Sequence, residues 1–218
     1  MKDKNYLILE KIIFSKQPKT AFFKEYKNSD FKNYLDSLLP EVNDCIYQEQ
    51  KSVWHMYNVM EHTLVALKKA NELSKNFTYF ERRIILFSVF FHDIGKPYCV
   101  VEKKNDAGEV YYGFPLHNLK SVEIFNRVKG NLYLSNVEQD VIENLILNHD
   151  TFNDEQRNID QNLYNEKYNE CIGKIDESLI NFYFKSLVIV AKSDNFAQNR
   201  LKAKPTLLKV LAFENLIK

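Results

Sequence analysis

The sequence predicts an all-α protein, a bundle of seven or more helices with one small β-hairpin near residues 98–113. Two observations support this class. Only five glycines and five prolines occur in 218 residues, and a chain so poor in helix breakers favours long helices over many short strands and tight turns. Long segments also carry apolar residues at helical spacing, and the 45% apolar content is enough to bury a core.

The periodic segments predict the helices in order. They cover residues 3–14, 20–39, 52–75, 79–94, 116–129, 135–150, 177–198 and 205–217. Ser52 is the expected N-cap of the third helix. Residues 98–115 are rich in turn formers, and a hairpin there would turn near Asp106-Ala107-Gly108. The polar segment 152–175 is predicted to be a loop with a weak helix that covers a site.

The most apolar helix ends in the pair His92-Asp93, directly after the run from Ile84 to Phe91. A helix that is apolar almost all round belongs inside a bundle. An ionised aspartate buried there without a partner would cost several kcal/mol, and a metal ion would supply that partner.

Four further residues are expected to point into the same interior: His62, His117, His149 and Asp194. His149 lies four residues after Leu145 on an apolar helix face, and Asp194 lies four after Val190. His62 is predicted to share a helical stripe with His55, while His117 opens a helix after a proline. Each residue alone has an ordinary structural alternative, such as a hydrogen-bonded core histidine or, for Asp194, a helix cap.

Imidazoles and carboxylates together suit divalent Mn, Fe, Ni, Co or Zn, with Mg also possible. The six residues include two carboxylates, enough for two metals that share one ligand, most naturally Asp93. A water or hydroxide between the metals would then be the nucleophile, its pKa lowered by both charges. Asp150 is expected to orient His149 or to face solvent.

The order of these residues resembles the signature of the HD superfamily. The matching segments are WHMYNVMEHTLVAL (54–67), HDIGKP (92–97), FPLH (114–117), LILNHD ending at Asp150, and AKSDN around Asp194. The first segment is most similar to the HD domains of CCA-adding tRNA nucleotidyltransferases and of uridylyl-removing enzymes. The resemblance covers about residues 50–198.

The resemblance implies an HD-domain helical bundle that holds one or two divalent metals and acts on phosphate esters. The core ligands match His62, His92, Asp93 and Asp194, and the two extra histidines of the binuclear subclass match His117 and His149. Lys96 matches a lysine that approaches substrate phosphate, although a solvated lysine after a helix end is the alternative. Asp93, Lys96 and His55 are the candidate catalytic residues.

For three side chains the sequence allows more than one role. His55 could be a hydrogen-bonded neighbour of the ligands, an acid for the leaving group, or a packing residue. Arg127 and Arg200 could bind phosphate, but solvation at the surface is the simpler account for both.

The expected function is therefore a metal-dependent phosphohydrolase acting on a phosphomonoester or phosphodiester, with a nucleotide or another small phosphate ester as substrate. The alternative is a mixed-valent di-iron oxygenase of the same fold acting on a small polyol or phosphonate. A binding module without catalysis would be expected to have lost ligands, and every ligand is present. The net charge of +1 gives no support to an RNA partner.

Residues 1–45 are predicted to form an N-terminal helical extension and residues 46–218 the HD domain, together one compact domain. Three scattered cysteines without a C-x-x-C pair indicate a reducing compartment. The N-terminus lacks the features of a secretion signal, and the longest apolar run is far below the roughly 20 residues that span a bilayer. These features predict a cytoplasmic protein without a membrane segment.

Overall fold

The computed structural model describes residues 2–105, 107–154 and 156–217. Within these ranges the protein has eleven α-helices and one two-stranded antiparallel sheet, which confirms the all-α class. The elements are α1 (Lys4–Ile13), α2 (Pro18–Glu25), α3 (Ser29–Leu38), α4 (Glu41–Tyr47), α5 (Val59–Leu73), α6 (Tyr79–Phe91), β1 (Val101–Lys104), β2 (Val110–Gly113), α7 (His117–Val128), α8 (Asn136–Asn148), α9 (Gln161–Cys171), α10 (Ile180–Ala197) and α11 (Arg200–Glu214).

The centre of the bundle is formed by α5, α6, α8 and α10. Helix α5 packs most extensively against α10, and α6 packs against both α5 and α8. Every residue of α6 from Ile84 to Phe91 is buried, as expected for a helix that is apolar on all sides. The C-terminal end of α6 therefore lies deep in the core, and any polar group there is held away from bulk water.

Side-chain caps fix where the central helices begin. Thr78 and Glu81 form a capping box at the start of α6, and Ser135 and Glu138 form another at α8. Each box satisfies backbone N–H groups that have no partner inside the helix. These caps therefore stabilise the N-terminal ends of two of the central helices.

The start of α5 differs from the sequence prediction. The helix begins at Val59 and not at Ser52, because Asn58 accepts a hydrogen bond from the Glu61 N–H and caps it. The Ser52 hydroxyl instead accepts from the Trp54 N–H within a turn. Val53 and Met56 are 62% and 60% exposed, so their helical spacing did not reflect a buried face.

Three other segments differ from the predicted helices. The segment 20–39 is two helices, α2 and α3, because the Asn28 side chain caps a new helix. A helix that was not predicted, α4, follows directly after Pro40. The polar segment 152–175 contains the eleven-residue helix α9, whose buried residues Leu163, Lys167 and Cys171 recur at steps of four.

The predicted hairpin is present. Strands β1 and β2 pair in antiparallel register, from Val101 opposite Gly113 to Lys104 opposite Val110. Gly108 in the connection has φ +79°, a conformation that glycine adopts without steric cost. Asp106 of the predicted turn lies outside the described residues. Among the described helices, none combines the length and hydropathy required to cross a bilayer.

The N-terminal helices share the hydrophobic core with the rest of the chain. Tyr6 and Leu9 of α1 are fully buried in that core. The Tyr6 hydroxyl donates to Glu10, and Arg83 of α6 lies 3.2 Å from the Glu138 carboxylate and 3.8 Å from that of Glu10. A partly buried charge network therefore joins α1, α6 and α8. The domain boundary at residue 45 stays a prediction.

Truncating the core of α6 should destabilise the whole protein. Phe87 is fully buried, so we expect Phe87→Ala to lower the free energy of unfolding by about 3–5 kcal/mol, because a cavity replaces the ring. Phe80→Ala removes the same ring from a 38% exposed position of the same helix and should cost far less. Urea denaturation of both variants measures the difference, and equal losses would contradict the position of α6 in the core.

Candidate metal centre

Six titratable side chains from five helical segments converge where α6 ends. They are His62 of α5, His92 and Asp93 after α6, His117 at the start of α7, His149 after α8, and Asp194 of α10. All six are buried. They form two overlapping groups, His62, His92, Asp93 and Asp194 in one and Asp93, His117 and His149 in the other, each with ligand atoms within 4.8 Å of one another. The structure thus brings together all six residues that the sequence predicted.

Asp93 belongs to both groups, and each of its oxygens faces a different pair of imidazoles. Its Oδ2 lies 3.3 Å from His62 Nε2 and 3.2 Å from His92 Nε2. Its Oδ1 lies 3.2 Å from His117 Nε2 and 3.7 Å from His149 Nε2. This is the arrangement expected of a carboxylate that bridges two cations.

Asp194 completes the first group. Its Oδ1 lies 2.8 Å from His62 Nε2 and 3.7 Å from His92 Nε2. The Gln198 side-chain amide donates to the same carboxylate at 3.2 and 3.4 Å, which fixes its orientation. Sequence reasoning missed Gln198, although its position four residues after Asp194 places it on the same helix face.

Three of the histidines have a tautomer fixed by the backbone. The Nδ1 atoms of His92, His117 and His149 lie 2.7–2.8 Å from the carbonyl oxygens of Val89, Phe114 and Ile146. A carbonyl only accepts, so each Nδ1 carries the hydrogen, and in the neutral ring the lone pair is on Nε2. All three Nε2 atoms point into the cluster, which is the usual arrangement of metal-binding histidines.

His62 Nε2 lies within hydrogen-bond distance of Asp194 Oδ1 at 2.8 Å, but the other inward nitrogens lack the partners that a purely structural cluster would provide. His92 Nε2 is buried and, within the described part of the chain, forms no hydrogen bond. The Nε2 atoms of His117 and His149 are 3.1 Å apart, so two lone pairs face each other. Because such an arrangement requires positive charge between the rings, the donor set fits a divalent transition metal.

Charge at the site leads to the same conclusion. Burial alone would lower the pKa of His92, but Asp93 and Asp194 raise it to about 10. Burial alone would raise the pKa of Asp93, but the charges of His92 and Lys96 hold it well below its usual range. The buried carboxylates thus draw in positive charge, and bound cations would supply it with the imidazoles neutral.

Lys96 is buried next to Asp93 and is not the solvated lysine of the alternative interpretation. Its ammonium donates to Asp93 Oδ2 at 2.6 Å and to Gln50 Oε1 at 3.0 Å, and only 5% of the residue is exposed. Burial alone would lower the pKa of Lys96, but Asp93 and Asp194 raise it. The lysine is therefore cationic at neutral pH.

A cleft of about 290 Å³ opens onto the cluster. Its lining includes Asp93, Lys96, His117, Asp150, Asp194 and Gln198, with Trp54, His55, Tyr111, Tyr112 and Phe114 on the walls. A larger cavity of about 700 Å³ adjoins it and shares Trp54, His55, Asn153 and Gln198. The aromatic residues are a part of the site that sequence reasoning missed, because they come from the turn before α5 and from the hairpin.

His55 lines this cleft but is not on the α5 stripe that the sequence predicted, because the helix begins after it. Its ring centroid lies 5.6 Å from that of His62, and its Nδ1 lies 3.3 Å from the Ser52 hydroxyl. Burial, with Lys96 and His62, lowers the pKa of His55 to about 3, so the ring is neutral at pH 7.

The backbone around Gly95 allows His117 to reach the cluster. A Cβ at Gly95 would lie 2.6 Å from both the His117 carbonyl oxygen and the Ser121 nitrogen. The Gly95 N–H donates to the Ser121 hydroxyl at 2.9 Å. Leu116 takes a left-handed conformation with φ 58°, which costs roughly 1–2 kcal/mol in a residue with a side chain. Close packing and local strain together turn His117 inward.

The sequence profile of the HD domain matches residues 59–177, more than half of the 218-residue chain. The chain belongs to the HD domain family. This membership places it in a superfamily of metal-dependent phosphohydrolases. No curated protein matches the chain significantly, so the narrower likeness to the HD domains of CCA-adding and uridylyl-removing enzymes stays a prediction.

The matched region of this HD domain contains His62, His92, Asp93, His117 and His149 and ends before Asp194. The assignment of Asp194 to the site therefore rests on its position beside His62 and His92.

Of three further residues considered from the sequence, only Asp150 lies at the HD domain site. Asp150 lines the cleft, and its carboxylate approaches the Nε2 atoms of His117 and His149. It therefore does not orient His149 through Nδ1, which donates to a carbonyl. Arg127 pairs with Glu41, and Arg200 lies over the Phe196 ring; neither is among the residues that line the two cavities.

Adding one methyl group at Gly95 should disturb the centre. We expect Gly95→Ala to lower the free energy of unfolding by about 1–3 kcal/mol, because the methyl overlaps backbone atoms of α7, and to weaken metal binding by displacing His117. Gly130→Ala is the matched control, since a Cβ there meets no described atom within 4 Å. Chemical denaturation and Mn²⁺ binding measure both effects. Equal behaviour of the two variants would contradict the close approach at Gly95.

Proposed function

We propose that this HD domain protein is a phosphohydrolase that cleaves a phosphomonoester or phosphodiester, with a nucleotide as substrate. One observation carries the proposal. Asp93 belongs to two groups of metal-type ligands and forms an ion pair with the buried Lys96. Both residues line an open cleft. A phosphate ester needs cationic groups at its oxygens and an activated water.

We assign the metal ligands as His62, His92, Asp93 and Asp194 for the first ion and Asp93, His117 and His149 for the second. When bound, divalent metals would supply a water of lowered pKa and positive charge for the phosphoryl oxygens. The protein contributes their positions. Nδ1 hydrogen bonds aim three of the imidazoles, and the Gln198 amide holds Asp194 in place.

Lys96 would bind the substrate phosphate. An ammonium has three hydrogens, and the bonds to Asp93 and Gln50 use two of them. The third is available to a phosphoryl oxygen in the cleft. Lys96 would thus hold the phosphate against the shared carboxylate and offset the negative charge that develops during hydrolysis.

The cleft walls support a nucleotide as the substrate. Trp54, Tyr111, Tyr112 and Phe114 surround the approach to Lys96, and aromatic faces are general platforms for stacking nucleobases. The adjoining cavity offers room for the part of the ester beyond the phosphate. We assign His55, which lines both cavities, to contact with the leaving group as a neutral imidazole.

The competing candidate is the di-iron oxygenase, since it uses the same donor types. If the phosphohydrolase proposal is correct, aerobically purified protein should contain Mn, Ni, Zn or Mg. If it contains iron, the iron-loaded protein should have phosphatase activity. A mixed-valent di-iron signal in electron paramagnetic resonance, with oxygen-dependent turnover of a polyol or phosphonate, would favour the oxygenase.

Substituting the shared carboxylate tests the proposal most simply. We expect Asp93→Asn to reduce turnover of the best substrate by at least about 10²–10³-fold, because a neutral amide cannot bridge two cations. Asp140→Asn changes an exposed aspartate of α8 in the same way and should keep full activity. With added metals, the assays are ring opening of 2′,3′-cyclic nucleotides to nucleoside monophosphates, followed by chromatography, and phosphate release from nucleoside monophosphates. Full activity of Asp93→Asn, with native circular dichroism, would refute the proposal.

The aromatic wall gives a separate prediction about the nucleobase. We expect Trp54→Ala to raise KM for a nucleotide by about 5–100-fold with little change in kcat, because stacking contributes about 1–3 kcal/mol per base. Ribose 5-phosphate, which has no base, should show no such change. Met56→Ala, in the same turn and 60% exposed, is the control variant. An equal change in KM for both substrates would argue against a base-stacking role.

A further inference from the structure

Asp150 approaches the second group of candidate ligands from the cleft side. Its Oδ1 lies 3.3 Å from His149 Nε2, and its Oδ2 lies 3.4 Å from His117 Nε2. The side chain is one-third exposed and lines the cleft. The carboxylate thus lies between the second group and the space proposed for substrate.

The contacted nitrogens are those that the backbone leaves without hydrogen. His117 and His149 each use Nδ1–H to bond a carbonyl oxygen, at 2.8 and 2.7 Å. In the neutral rings Nε2 is an acceptor, and an acceptor cannot hydrogen-bond a carboxylate. Asp93 and Asp150 each place an oxygen near these same two imidazole nitrogens. All four groups are acceptors, for which a shared cation is the natural partner.

The two groups then have equivalent compositions. The first has two imidazoles, the shared Asp93 and its own carboxylate, Asp194. Adding Asp150 to His117 and His149 gives the second group the same set. The parallel includes the supporting amides, because Asn153 donates to Asp150 Oδ1 at 2.8 Å as Gln198 donates to Asp194.

We propose that Asp150 is the fourth protein ligand of the second metal, so that each ion has two imidazoles, one shared carboxylate and one carboxylate of its own. This inference rests on the proposed binuclear centre. Asp150 is more exposed than Asp194, so its metal site would be the more accessible to solvent. The three carboxylates would together offset most of the charge of two divalent cations.

Metal counting tests the inference without an activity assay. Wild type, Asp150→Asn, Asp194→Asn and the surface control Asp140→Asn are dialysed against a series of free Mn²⁺ concentrations, and bound metal is counted by mass spectrometry. We expect two equivalents in the wild type and in Asp140→Asn. Asp150→Asn should retain one equivalent at unchanged affinity and bind the second at least about tenfold more weakly. Asp194→Asn should weaken the other equivalent, and circular dichroism verifies that each variant is folded.

The outcomes distinguish failure of this inference from failure of the proposed function. If Asp150→Asn binds two equivalents with wild-type affinity, Asp150 is not a ligand, and the phosphohydrolase proposal stands. The same conclusion follows if that variant keeps both ions but loses phosphatase activity, since Asp150 would then act on substrate or water. If the wild type binds fewer than two equivalents, both the inference and the binuclear centre are wrong.

Discussion

The position of one carboxylate determines the organisation of this protein. Asp93 follows the most apolar helix and is 1% exposed, so its charge must be compensated from within the fold. Lys96 supplies part of this compensation through an ion pair of 2.6 Å. The four imidazoles around its two oxygens are the remaining partners, and they meet only because α5, α6, α7 and α8 pack around this point.

The helix ends explain how imidazoles are aimed at that carboxylate. His92 and His149 are the C-terminal caps of α6 and α8, where the last carbonyl groups have no partner within the helix. Each ring donates from Nδ1 to the carbonyl three residues earlier and directs Nε2 inward. The same bond therefore satisfies a helix end and fixes a ligand, which links the stability of the helices to the geometry of the site.

Helical periodicity predicted some of the six candidate ligands, and the resemblance to the HD superfamily supplied the rest, His117 above all. His149 and Asp194 follow apolar residues at steps of four, and buried helices hold such faces in place. The sequence placed Asp150 next to His149 but did not show which atoms its carboxylate contacts. Only the packed structure shows that the Nδ1 atoms of His117 and His149 bond backbone carbonyl oxygens. Gln198 follows Asp194 by four residues, so the same spacing places it on that helix face.

The cleft walls could not be predicted in the same way. Ser52 was expected to begin α5, but Asn58 is the cap that forms, and the choice between two capping residues depends on tertiary contacts. As a result Trp54 and His55 lie in a turn that faces the cleft. The hairpin was predicted, yet its placement over Lys96 depends on packing between segments distant in sequence. Helix packing thus positions the candidate metal ligands, while loop conformation shapes the cleft beside them.

Anomalous diffraction from crystals grown with Mn²⁺ tests the central claim most directly, namely that Asp93 joins two cations. If Asp93 joins two cations, two anomalous peaks are expected, one at each Asp93 oxygen, separated by roughly 3.5–4 Å as in other two-metal sites. The first should lie among His62, His92 and Asp194 and the second between His117 and His149. Crystals without a peak at Asp93, or with a single ion that Asp93 does not contact, would contradict the account.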